Sequence, residues 1–223
     1  MIGFGLIFVG PPGAGKGTQS AIISDRWPDI AHIAPGDIFK DMRYQDTPLA
    51  RRVTALIGNG QFAPNEVTLE VMREAIQARM ERYSGMILDG FPRNLVQAEA
   101  FEKLRHELWP HIPMKAVYFD SRRDLLMERL IERVVCTKCH RSFHLRFCPF
   151  SPDECNCGGA YLKKRDDDRP EIIQKRFAIY DEVTAPLVGY YAERGMLLRV
   201  DASLSISQVS AQLFEIVQSL QPA

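Results

Sequence analysis

The chain predicts an α/β fold in which a parallel β-sheet is flanked by helices in three layers. Three observations predict it: apolar runs of strand length alternate with segments of helical periodicity, a glycine-rich turn separates the first strand from the first helix, and two inserted stretches break the alternation. The strand-like runs fall at 6–9, 86–88, 116–119 and 197–200, with a shorter one at 31–33. Apolar residues at helical spacing mark 18–27, 66–83, 95–108, 123–133, 171–180 and 207–220. Residues 35–64 read as short helices with Gly58 and Gly60 between them, and 136–159 is rich in Cys, Pro and Gly with little helical pattern. Both stretches read as insertions folded over one edge of the core.

At 223 residues and 46% hydrophobic content, the chain has enough apolar material for one globular core with insertions. Lys plus Arg equals Asp plus Glu at 28 each, so the net field gives no reason to expect a nucleic-acid polymer or a membrane as partner. The apolar start, residues 1–9, carries no basic leader and reads as the first strand, and no apolar run approaches the roughly 18 residues of a membrane helix. All five cysteines lie between Cys136 and Cys157, a clustering that suits a metal site in a reducing cytoplasm better than a disulfide framework.

The segment Gly10-Pro-Pro-Gly13-Ala14-Gly15-Lys16-Gly17-Thr18 has the G-x-x-x-x-G-K-[ST] spacing of a phosphate-binding loop between a strand and a helix. Glycines let backbone N–H groups turn inward around phosphate oxygens, and the helix N-terminus adds partial positive charge there. Lys16 adds a full charge and Thr18 a hydroxyl for Mg²⁺, with Asp89 at the end of the strand Met86-Ile-Leu-Asp89 as the carboxylate that holds the metal through water.

Three segments extend the match: Gly10 through Gln19, Leu88-Asp-Gly-Phe-Pro-Arg93 followed by Gln97, and Thr184-Ala-Pro-Leu-Val-Gly-Tyr-Tyr191. In this order and spacing the chain resembles the adenylate kinase family along essentially its whole length. The resemblance implies a P-loop fold that moves the terminal phosphoryl group of ATP onto AMP with Mg²⁺. It implies that Arg129, Arg133, Arg165 and Arg176 converge on the phosphates when a lid closes, and that Arg93 grips the acceptor phosphate. It also places Arg129, Ser142, Phe143 and Leu204 at the ATP base, and Pro35, Lys40, Ala63, Gly90 and Gln97 at the acceptor, where Gln97 meets the adenine. The implied division is a core of 1–34, 68–133 and 169–223, an acceptor-binding arm of 35–67 and a lid of 134–168, in a cytoplasmic monomer. No general base is required, because an AMP phosphate oxygen is largely deprotonated at neutral pH.

The chain departs from the family pattern at three places. Pro35 stands where a Thr is usual, removing a hydroxyl and a backbone donor near the acceptor base. Lys40 replaces an Arg and gives up its bidentate fork, and Ala202 replaces a Gly after the last strand. Cys136-Thr-Lys-Cys139 and Cys155-Asn-Cys157 have the spacing of two knuckles around one structural Zn²⁺, the tight second pair leaving Cys148, His140 and His144 as alternative fourth ligands. A kinase for UMP or CMP is the alternative within the class. A zinc-ribbon nucleic-acid-binding NTPase, suggested by Lys163, Lys164 and Arg165 beside the cysteines, is the alternative outside it, and balanced charge counts against that reading.

Overall fold

The computed structural model describes residues 3–42, 44–57, 63–139, 141–148, 150–151, 155–165 and 167–221. Its centre is β1 (Phe4–Val9), all six residues buried, the mark of a strand covered on both faces. Alternate β1 side chains serve opposite faces. Ile7 and Val9 join Met72, Leu88, Phe101 and Tyr191 on one side. Leu6 and Phe8 join Ile23, Val117, Leu213 and Val217 on the other.

Around β1 lie β2 (Ile30–Ile33), β3 (Gly85–Asp89), β4 (Met114–Asp120) and, at the far edge, a strand over Leu197–Asp201. The order is β2, β3, β1, β4 and then this last strand, with every pairing parallel. Neighbours on either side of β1 come later in sequence, so the chain leaves β1 in one direction and returns on the other. Such a reversal opens a crevice at the carboxyl ends of the strands, where ligands of parallel sheets bind.

The helices are α1 (Lys16–Arg26), α2 (Pro35–Met42), α3 (Pro48–Ile57), α4 (Asn65–Gln77), α5 (Leu95–Leu108), α6 (Arg123–Ile131), α7 (Pro170–Ile179), α8 (Pro186–Glu193) and α9 (Ile206–Leu220). The α5 bounds match the periodicity, and α9 begins with a reciprocal capping box between Ser205 and Gln208. By contrast α4 stops well before residue 83: the Arg79 guanidinium donates to the Ala75 carbonyl at 2.8 Å, taking the acceptor that the next helical N–H would use. Past α7 the backbone forms a π-helical turn (Tyr180–Thr184) and then α8, which the periodicity does not announce. Pro186 and Gly189 read as breakers, yet Pro186 occupies a first-turn position where no N–H is missed.

The insertion at 35–64 forms α2 and α3, which close with α4 around Met42, Ala50, Val53, Val67 and Val71. Gly58 and Gly60, expected between its helices, lie outside the described residues. The second insertion holds three strands, β5 (Arg133–Cys136), β6 (Ser142–His144) and β7 (Leu162–Lys164), in an antiparallel sheet ordered β6, β5, β7. Strands of three or four residues carry too few positions to show a period; the edge strand at 197–201 is hereafter β8. Arg133, expected in a helix, begins β5. Among the described residues no helix is long and apolar enough to cross a membrane.

Candidate active site

The phosphate loop leaves β1 at Gly10. Gly13 and Gly15 have φ of 83° and 90°, in the left-handed region that favours glycine, and a Cβ at Gly13 would lie 2.9 Å from the Leu126 carbonyl oxygen. Gly15 caps α1, and with no side-chain cap the first N–H groups of the helix, from Lys16, Gly17 and Thr18, face the loop. Lys16 Nζ folds back to donate to the carbonyls of Gly10 at 2.6 Å and Pro11 at 3.0 Å. Burial pushes Lys16 down to about 8; Asp89 opposes this, while Arg93, Arg176 and Arg133 add to it. Cations from four elements thus share one field.

Asp89 ends β3 beside the loop, its Oδ2 3.5 Å from where a Gly17 Cβ would lie and 3.5 Å from His32 Nε2. Its carboxylate and the half-buried Thr18 hydroxyl are oxygen donors of the kind Mg²⁺ takes. The next turn carries residues expected at the acceptor. Gly90 has φ 74°, Phe91–Pro92 is cis, and Arg93 Nε donates to the Gly90 carbonyl at 3.0 Å. Burial lowers the Arg93 pKa from its ordinary value, against the pull of Asp89. The Arg93 carbonyl accepts from the Thr184 hydroxyl at 2.9 Å, which ties two of the three sequence segments that carried the resemblance. Gln97 is buried one turn into α5, its Oε1 accepting from the Arg93 N–H. Pro35 is buried at the start of α2, and the Ala63 carbonyl accepts from Thr68 Oγ1 at 3.5 Å where α4 begins. The Lys40 side chain lies outside the described residues.

Three of the four predicted lid-facing arginines meet on two adjacent aspartates. Arg133 makes a two-pronged pair with Asp168 at 2.8 and 2.7 Å, and Arg176 donates to the same carboxylate at 3.0 Å. Arg165 pairs with Asp167 at 2.8 and 2.7 Å. Asp168 is buried, and it holds two guanidiniums that would otherwise repel one another. Burial lowers the Arg176 pKa; at Arg165 burial acts against the charge, but Asp167, Asp168 and Asp37 raise the pKa overall.

Arg129 stands apart from this group. Its guanidinium donates to the carbonyls of Ala202 at 2.7 Å and Leu204 at 3.3 Å, joining α6 to the turn after β8. The aromatic ring beneath it is Phe147, 5.5 Å from Arg129 Cζ to the ring centroid, a residue not singled out from the sequence. Phe143 is instead buried in the small core of the second insertion, edge-on to Phe150. With Ser142 it forms β6, an edge strand of its sheet, so a nucleotide there would meet backbone more than ring.

The sulfurs of Cys136, Cys139, Cys155 and Cys157 all lie within 4.8 Å of one another. Four thiols at this separation fit a tetrahedral zinc with no position left for a substrate. Backbone N–H groups of Cys139 and Lys138 hold the Cys136 thiol down to about 6, favouring the thiolate that binds metal. Among the described residues Cys148 is outside the group. His144 is excluded as a ligand by its bonds: Nδ1 accepts from the N–H of Arg146 and Phe147 at 3.1 and 3.2 Å, and Nε2 donates to the Glu128 carbonyl at 3.3 Å. His140 lies outside the described residues.

The family model described as adenylate kinase matches residues 8–196. An adenylate kinase of Syntrophomonas wolfei is 38% identical over 216 residues, covering 96% of this chain and 99% of the relative. That of Moorella thermoacetica is 38% identical over 92% of this chain and 93% of its own length, and that of Geobacter sulfurreducens 36% identical over 96% and 98%. The phosphate loop, the arginines gathered at the mouth of the sheet and this end-to-end similarity agree, and the chain belongs to the adenylate kinase family.

Proposed function

We propose that this protein transfers the terminal phosphoryl group of ATP to AMP, reversibly and with Mg²⁺, giving two molecules of ADP. The observation that carries the proposal is the gathering of cations about the phosphate loop: Lys16 in the loop itself, Arg93 on the turn after β3, and Arg133 and Arg176 on one carboxylate, Asp168. So much positive charge in a crevice is costly alone and is matched by a triphosphate and a monophosphate brought together.

The roles follow from position. Backbone N–H groups at Gly13, Ala14, Gly15, Lys16, Gly17 and Thr18 receive the donor phosphates, and Lys16 leaves the Gly10 and Pro11 carbonyls to meet them. Arg93 holds the acceptor phosphate. Arg133, Arg165 and Arg176 exchange Asp167 and Asp168 for the charge that develops in transfer, and Arg129 lies against the ATP base with Phe147 or the β6 backbone beside it. Thr18 and Asp89 would hold Mg²⁺, partly through water; a metal there neutralises phosphate charge. Catalysis rests on alignment and exclusion of water. The insertion at 35–67 serves as the acceptor arm and that at 134–168 as the lid, with zinc on the four thiols stapling it. A reducing cytoplasm suits this thiol cluster, and the enzyme acts as a monomer.

A coupled assay of ATP against a panel of monophosphates tests the reading. AMP is the preferred acceptor, and a preference for UMP or CMP overturns the base assignment. Lys16→Met lowers kcat by at least about 10³-fold while the melting temperature holds, because it removes charge and no packing. Retained transfer in that variant overturns the site.

A further inference from the structure

Where α4 meets α5, three side-chain amides are each locked in one orientation. The Arg93 N–H donates to Gln97 Oε1 at 2.8 Å, and the Gln97 N–H donates to Asn94 Oδ1 at 2.8 Å. A backbone N–H is only a donor, so both side chains must present oxygen to it and turn their NH₂ groups away. Both NH₂ groups then arrive at one atom, Asn65 Oδ1, from Gln97 Nε2 at 3.0 Å and Asn94 Nδ2 at 3.1 Å. Asn65, the first residue of α4, is therefore obliged to present oxygen as well.

An amide offers two lone pairs on oxygen and two hydrogens on nitrogen. Gln97 commits one of each to Arg93 and Asn65, which leaves one acceptor and one donor side by side in fixed order. The Watson–Crick edge of adenine presents a donor at N6 beside an acceptor at N1, the complement of that order. A 6-oxopurine presents an acceptor at O6 beside a donor at N1 and would need the amide reversed.

We propose that Asn65 is a positioning residue that sets acceptor-base specificity: by accepting from Gln97 Nε2 it holds the amide in the orientation that reads adenine and rejects 6-oxopurines. The inference rests on the reading of Gln97 as the acceptor-base contact. Because Asn65 opens α4 and Gln97 lies on α5, recognition of the base depends on the docking of these two helices.

The test compares Asn65→Leu, Asn65→Asp and Gln97→Leu by steady-state kinetics with AMP and with IMP as acceptors. Asn65→Leu keeps the side-chain size and removes the acceptor; it raises KM for AMP by about tenfold, leaves KM for ATP within about twofold, and raises the IMP-to-AMP ratio of kcat/KM. Asn65→Asp, whose carboxylate accepts both bonds, returns KM for AMP to near the parent value. If Asn65→Leu changes neither KM nor the ratio while Gln97→Leu changes both, Asn65 has no part in specificity and the inference fails. If Gln97→Leu also changes nothing, the assignment of Gln97 to the acceptor base fails first. A rise in both KM values that Asn65→Asp does not rescue marks a general structural role and overturns the proposal.

Discussion

The two insertions of this enzyme solve one problem with different chemistry. The first is held by apolar side chains, Met42, Ala50 and Val53 closing on Val67 and Val71 of α4. Its ion pairs, Arg51 with Asp46 and Arg52 with Glu70, lie at the surface, where they contribute little. The second buries Phe143 and packs Val134, Phe150 and Leu162 against it, and among the described residues the rest of its centre is cysteine. Its ties to the rest of the chain are largely polar: Arg133 pairs with Asp168, Arg146 with Glu128 and Arg141 with Asp25, His144 donates to the Glu128 carbonyl, and the Phe147 ring lies against Arg129. A segment that borrows a core helix can be held by the hydrophobic effect, whereas one projecting on three short strands buries too little and needs a staple.

The largest test of this contrast is removal of metal. Zinc content is expected at one per chain, and chelation or Cys136→Ser should lower Tm by about 10 °C, a larger effect than any immediate loss of rate, since the metal supplies folding free energy and no chemistry. Cys148→Ser should keep its zinc. Protein purified without metal, or with a Tm indifferent to chelators, removes the distinction between the insertions.

An intermediate effect belongs to the first insertion. Val53 is fully buried, and Val53→Ala should cost about 2 kcal/mol, by lost transfer energy and the cavity left behind. Calorimetry of metal-loaded and chelated protein should show the same decrement in both. A decrement that vanishes on chelation would mean that the two insertions are one cooperative unit.

The smallest effect concerns acid. Burial works against the charge of Asp167, but Arg165, Arg176 and Arg133 hold its pKa below the ordinary 3.8. A folded-state pKa below the unfolded one adds stability that is complete above about pH 4 and fades as the pH falls through the folded value. Denaturant melts between pH 3 and 6 should show a shallower acid limb for Asp167→Asn, while Arg52→Ala in the first insertion leaves that limb unchanged. Equal slopes for Asp167→Asn and the parent would show that the pairs made by Asp167 carry no net stabilisation.

The elements most legible in the chain were those with enough residues to display a period. The longer parallel strands and the helix at 95–108 stand out because their apolar residues run over enough positions to be read, β2 with four residues shows only as a short run, and the phosphate loop stands out because left-handed turns leave glycine little competition. Less visible was α8, whose Pro186 and Gly189 look like breakers until Leu187, Tyr190 and Tyr191 are seen filling the core. The early end of α4 depends on one local side-chain contact, Arg79 capping the Ala75 carbonyl, that propensity does not encode.

The candidate site divides in the same way. Residue types and spacing pointed to Lys16, Asp89 and a cysteine cluster with one ligand left open, because phosphate and zinc each demand a particular chemistry at short range along the chain, whereas Arg93 came only through the family resemblance. Nothing in the order of residues says that Arg133 and Arg176 share Asp168, that His144 turns both nitrogens away from the metal, or that Asn65 and Asn94 hold Gln97 in one orientation. Most of those contacts join residues 8 to 35 positions apart, although Asn94 with Gln97 and His144 with Arg146 and Phe147 are local. They come into being when packing brings separate donors and acceptors to one buried place, where each polar group must find a partner.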